Sequence, residues 1–192
     1  MCTAIRLIPT NDELRLIYGR VHEACGTARR TMALWLAAQT EGPVVWIGPS
    51  WNKDRLNPEG MTDWVDPGRF IFVDAVRAED VLWSLEESLR SGAVRLVVGD
   101  LPGLPGLTQV RRLHLAAETG GKEGPHLPLG LILTPDQGGA QGVETRWHLN
   151  PDHHATQQRQ WRLKRLRART APPATWVLAR PTNTSALQLQ RA

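Results

Sequence analysis

Short apolar runs alternate with longer amphipathic stretches along most of this chain. Val44-Val45-Trp46-Ile47, Val94 to Val98 and Leu129 to Thr134 are near-continuous apolar runs. Runs of that length predict strands buried on both faces of a parallel sheet. Between them, Ala78 to Ser91 carries Val81, Leu82, Leu85 and Leu89 at helical spacing, with Gly92 placed to cap the C-terminus. Thr27 to Gln39 predicts a helix with a broad apolar face of Met32, Leu34, Trp35, Leu36 and Ala38. Leu107 to Glu118 predicts another, with Val110, Leu113, Leu115 and Ala117 inward, followed by a Gly/Pro-rich loop over Thr119 to Pro128.

Leu14 to Glu23 reads as a strand entering a turn, punctuated by Gly26, and Arg69 to Val73 as a further strand. Trp51 to Gly68 is a polar crossover with a short helix expected at Pro58 to Trp64. Val143 to Leu149, Gln160 to Leu166 and Thr175 to Ala179 predict three closing strands. Strand–helix alternation followed by a run of strands predicts an α/β fold. Its central sheet is mainly parallel, with helices on both faces and an antiparallel C-terminal extension. No repeat or linker divides the chain, so residues 1–181 are expected to form a single domain, with 182–192 a disordered polar tail.

Composition narrows the class. The chain has 192 residues, 41% of them hydrophobic and 22% charged, which suits one domain with a sizeable core. No apolar run approaches the roughly 20 residues that span a bilayer, and Met1 to Thr10 lacks the layout of a secretory signal. Cys2 and Cys25 have no metal-ligand spacing. A cytoplasmic protein without membrane contact is the expectation. Asp152-His153-His154, with His148 nearby, offers no fixed ligand set, so no metal is expected. Ser50 and Cys25 lack a base and its orienting partner, so no catalytic residue is assigned.

The net charge of +4 is unevenly placed, because Arg159, Arg162, Lys164, Arg165, Arg167 and Arg169 crowd one segment. Such a cluster attracts nucleic acid or an acidic partner, or else is a solvated basic strand. Strict strand alternation predicts Arg165, Arg167 and Arg169 on one face, the candidate binding face, with Arg162 and Lys164 on the other. Of the eight tryptophans, Trp35, Trp46 and Trp83 are expected in the core. Trp51 and Trp64 are candidate exposed anchors, and Trp161 is expected to pack beneath its hairpin rather than stack on a base.

Candidate chemistry centres on Ser91-Gly92-Ala93-Val94-Arg95-Leu96-Val97-Val98-Gly99-Asp100, where an aspartate ends an apolar strand. In nucleotide-binding α/β proteins a carboxylate at that place meets a magnesium-bound phosphate. A working phosphate loop reads G-x-x-x-x-G-K-[ST]. Here Gly26-Thr27-Ala28-Arg29-Arg30-Thr31 runs directly into a helix, without the second glycine or the lysine. Arg30 and Thr31 stand where Lys-Thr would, and an arginine is a bulkier fork. Arg30, Thr31 and Asp100 are therefore a degenerate nucleotide site, and no cofactor is expected.

These segments resemble RecA-type ATPases, and in order and spacing they resemble the ImuA family of RecA-like accessory proteins. Gly19 to Gly26 is similar to the strand and first glycine before the RecA phosphate loop. Leu89 to Asp100 resembles the Walker B segment with its leading helix. Leu131-Ile132-Leu133-Thr134-Pro135 is similar to the strand ending at the nucleotide-sensing position. Trp161 to Arg169, then Pro172 and Trp176-Val177-Leu178, resembles the closing hairpin of ImuA-type chains. At the position of RecA's water-activating glutamate stands Ser50. The resemblance implies a RecA-like three-layer fold and a non-catalytic pseudo-ATPase acting in SOS-induced mutagenic translesion synthesis. It implies as partner the catalytically inactive Y-family polymerase homologue ImuB, with RecA or DNA as further partners. Pro43 to Leu101 also resembles SulA, the SOS cell-division inhibitor that binds FtsZ. A weak P-loop ATPase is the third alternative.

Overall fold

The structure, a computed structural model, describes residues 4–8, 11–152, 159–180 and 186–190. Among these residues, eleven strands and four α-helices follow one another: β1 Ala4–Arg6, β2 Arg15–Ile17, β3 Val21–Cys25, α1 Arg29–Ala38, β4 Val44–Pro49, α2 Pro58–Met61, β5 Phe70–Ala75, α3 Ala78–Ser91, β6 Leu96–Asp100, α4 Leu107–Glu123, β7 Leu129–Leu133, β8 Thr145–Pro151, β9 Arg159–Ala168, β10 Ala174–Arg180 and β11 Gln188–Gln190. β1 and β2 form a small antiparallel hairpin, and the other nine strands form one sheet in the order β11-β10-β9-β8-β3-β7-β6-β4-β5. From β8 to β5 every neighbouring pair is parallel, whereas β8–β9, β9–β10 and β10–β11 are antiparallel. This is the expected mainly parallel sheet with an antiparallel extension.

Apolar composition explains the centre. β6 and β7 are buried along their whole length, as runs covered on both faces must be. One face packs against α1, the β1–β2 hairpin and Trp64. The other packs against α3 and α4. Leu96 is 1% exposed in β6, between β4 and β7. Leu96→Ala is therefore expected to cost about 2–5 kcal/mol in chemical denaturation. A loss below about 1 kcal/mol would contradict its central position.

Several boundaries differ from expectation for identifiable reasons. The stretch Leu14 to Glu23 is split into β2 and β3 by a turn. α4 runs on to Glu123, through what the sequence marks as loop. Gly120 permits it: a Cβ there would lie 2.0 Å from the Leu89 carbonyl oxygen, so α3 and α4 approach backbone to backbone. Trp83, expected in the core, is 61% exposed. The buried row of α3 is Val81, Leu85 and Leu89, and a residue two positions from that row faces away from it. Within the segment expected to be a disordered tail, Gln188–Gln190 pairs with β10, and Leu187 packs on the core. Among the described residues, no helix is long and apolar enough to cross a membrane.

Candidate functional site

Because β3, β4, β6 and β7 are parallel, their carboxyl ends share one edge of the sheet. Gly26 follows β3 there, and Asp100 ends β6. In open α/β sheets this is the edge where ligands bind. Gly26 has φ +88°, and a Cβ on it would meet the Leu149 carbonyl oxygen at 2.5 Å. The turn thus needs glycine for both its backbone angle and its contact with β8.

The peptide N–H groups of this turn are already committed. Gly26 N donates to Asp136 O at 2.9 Å, Ala28 N to Leu149 O at 3.0 Å, and Arg29 N back to Gly26 O at 3.3 Å. Thr27 donates from N (3.0 Å) and from Oγ1 (3.2 Å) to Asn150 Oδ1. A phosphate loop binds anions through N–H groups left without internal acceptors. Here the loop closes on β8 instead.

Asp100 is equally committed. Its carboxylate is buried and accepts from Arg30, with Nε at 2.8 Å and Nη2 at 2.7 Å from Oδ2. Arg29 Nε stands 4.0 Å from Oδ1. Two arginines in the first turn of α1 oppose the positive end of the helix dipole, and α1 has no side-chain N-cap. The buried carboxylate offsets both. Thr31 is half-buried on the next position of the helix. The structure thus joins Arg30 directly to Asp100, and among the described residues no hydrogen bond ties the Thr31 side chain to either. Ser50 is exposed after β4.

Thr134, directly after β7, donates its hydroxyl to Glu23 Oε1 at 2.6 Å. Glu23 is fully buried and also accepts from Gly139 N (2.8 Å), Ala140 N (3.1 Å) and Arg146 Nε (2.5 Å). This cluster ties β3 to the loop after β7. Neither Glu23 nor Asn150 stands out in the sequence, since a single carboxylate in a strand and a single amide carry no spacing signal.

Beside Gly26, burial and the Glu23 charge push the Cys25 thiol up to about 12, so it is an inert thiol. Burial lowers His22 to about 4. Its Nδ1 lies 2.7 Å from Thr145 Oγ1 and its Nε2 3.0 Å from Ile17 O. Burial also lowers His114, which accepts from Val21 N. Both are core histidines. Among the described residues, no group of three or more His, Cys, Asp or Glu is placed to hold a metal ion. His153 and His154 lie outside the described residues.

The basic segment departs from the expected alternation. The β8–β9 register shifts between Arg146 and Trp147: Trp147 pairs with Arg165, and Arg146 with Arg167. Leu166 is thus an inserted bulge residue, and a bulge re-aims the side chains around it. Arg165 turns into the core. It donates from Nε to Pro172 O (3.0 Å) and from Nη1 to Glu13 O (2.9 Å), and its guanidinium lies over the Trp176 ring. It cannot belong to an exposed binding trio. Arg167 is exposed, and Arg169 lies 3.4 Å from Glu144. They fall on the same face as Arg162 and Lys164, not opposite to it. Trp161 packs beneath the hairpin as expected, and Trp64 is half-buried against it. Trp51 is half-exposed beside the turn.

No protein-family model matches the chain, and neither does any curated protein.

Proposed function

We propose that this chain is a RecA-like pseudo-ATPase that acts in the cytoplasm as an interaction protein, not as an enzyme. More specifically, we infer an ImuA-type accessory role in SOS-induced DNA damage tolerance, with an ImuB-like inactive polymerase as partner. One observation carries the non-catalytic part. The peptide N–H groups from Gly26 to Ala28 and the Asp100 carboxylate, which would hold phosphate and Mg²⁺, are bonded to Asp136, Asn150, Leu149 and Arg30 instead. With no lysine and no carboxylate in the Ser50 position, the electrostatic terms that drive phosphoryl transfer are missing together. The sheet order is compatible with this reading, since β7 separates the Gly26 strand from the Asp100 strand. The accessory role and the partner rest on the resemblance of the motifs alone.

Purified protein with Mg²⁺-ATP, with and without single-stranded DNA, is expected to give turnover equal to buffer. Turnover that disappears on Asp100→Ala would overturn the pseudo-ATPase reading. Pull-downs against an ImuB-type polymerase homologue and against FtsZ separate the accessory role from SulA-like inhibition of division. Capture of FtsZ alone would replace the first by the second.

A further inference from the structure

α3 and α4 cover the sheet only from β3 to β5. The same face of β8 and β9 carries His148, Asn150, Arg162 and Lys164, which line an open cleft of about 310 Å³ together with Pro151 and Asp152. His148 pairs in register with Lys164, and Asn150 with Arg162. The bulge at Leu166 brings Arg167 onto this face as well.

Four features make the cleft more than a basic surface. His148 is only 5% exposed and lines the cleft, yet among the described residues nothing hydrogen-bonds its ring. Asn150 Oδ1 is held by Thr27, which leaves the amide NH₂ as its uncommitted donor. Lys164 is half-buried and has no carboxylate partner among the described residues. Arg162 is neutralised by Asp152, with Nη2 at 2.9 Å from Oδ2, so that carboxylate does not stand unpaired in the cleft.

We propose that this cleft binds a phosphoryl group, with Lys164 as the point charge and Asn150 and His148 as directed donors. A planar carboxylate is best met by an arginine fork, and the fork that lines the cleft among the described residues, Arg162, is taken by Asp152. A lysine and two separate donors converging from two strands suit a compact tetrahedral anion. Burial and the nearby Lys164 hold His148 below its ordinary range, so at neutral pH its ring offers one N–H. The phosphoryl group comes either from a free phosphate or mononucleotide, or from a nucleic-acid backbone that continues over Arg167. The cleft shares Asn150 with the closed turn at Gly26 but uses its NH₂ rather than its Oδ1, and the pseudo-ATPase reading is tested by turnover, so failure of phosphoryl binding here leaves that reading untouched.

The experiment titrates the protein at low salt with inorganic phosphate, a mononucleotide and an oligothymidylate, following backbone amide NMR shifts. The expected result is shifts centred on Asn150 and Lys164, and affinity lost by roughly tenfold or more in Lys164→Gln. If Arg167→Gln weakens only the oligonucleotide and flattens its salt slope by about 0.7, the backbone is the source. If Arg167→Gln changes nothing, the source is a free phosphate or mononucleotide. The proposal falls if none of these probes shifts the two amides. It also falls if Lys164→Gln binds like wild type with an unchanged circular dichroism spectrum and melting temperature. A response to polyglutamate alone would likewise overturn it, in favour of an acidic protein partner.

Discussion

Replacing Arg146 by methionine is expected to destabilise the fold by about 3–5 kcal/mol. The guanidinium is the only cation bonded to Glu23 among the described residues, and Glu23 sits fully buried in β3. Without it, the carboxylate keeps three donors, Thr134, Gly139 and Ala140, but its charge is left uncompensated in a low-dielectric interior. The second partner makes the argument specific. Glu23→Gln retains an acceptor oxygen for the three donors and removes the charge, so Glu23→Gln/Arg146→Met should be more stable than Arg146→Met alone. Guanidinium denaturation of wild type, both single variants and the double variant forms a cycle that isolates the coupling. A loss below about 1 kcal/mol for Arg146→Met would mean that the three donors suffice. A double variant no more stable than Arg146→Met would mean that lost packing, not buried charge, sets the cost.

This cluster also shows what a sequence can and cannot carry. The continuous apolar runs of β4, β6 and β7 and the Val81/Leu85/Leu89 row of α3 are legible, because burial on both faces or on one stripe leaves a periodic mark in composition. Asp100 at the tip of its strand is legible for the same reason, since the strand is. Its partner is less so. Arg30 is noticeable as the residue in the lysine position, but only the fold brings it 2.7 Å from Asp100. Asn150 lies far along the chain from Thr27, and its role as the acceptor that closes the turn depends on β8 pairing with β3. A long-range pairing of single polar residues has no local signature.

The basic strand fails differently. Its arginines are obvious, but their faces follow from counting by two, and one inserted residue reverses every assignment beyond it. Leu166 is that residue. It is apolar and half-buried, so the sequence around it still alternates plausibly. Three-dimensional pairing, not composition, decides that Arg165 stacks on Trp176 while Arg167 faces outward.

The antiparallel extension is welded to the parallel core through tryptophans, and Trp161→Ala is expected to show it with a loss of about 3–5 kcal/mol. Trp161, in β9, is 5% exposed and meets Trp35 of α1 edge-on, with ring centroids 5.2 Å apart. Its ring also meets Trp64, from the crossover after β4, at 5.8 Å, and Trp35 meets Trp64 at 5.7 Å. Three elements distant in sequence therefore share one aromatic contact, and edge-to-face pairs of this kind add about 0.5–1.5 kcal/mol beyond area burial. Truncation removes two such pairs and opens a cavity that the surrounding sheet can only partly close. Two readouts check different parts of the claim. Denaturation followed by circular dichroism and by tryptophan fluorescence should remain a single coincident transition in wild type, since the extension and core unfold together. In Trp161→Ala the common midpoint should fall. If instead the fluorescence change separates from the loss of helix, the extension unfolds on its own and the aromatic contact does not join it to the core.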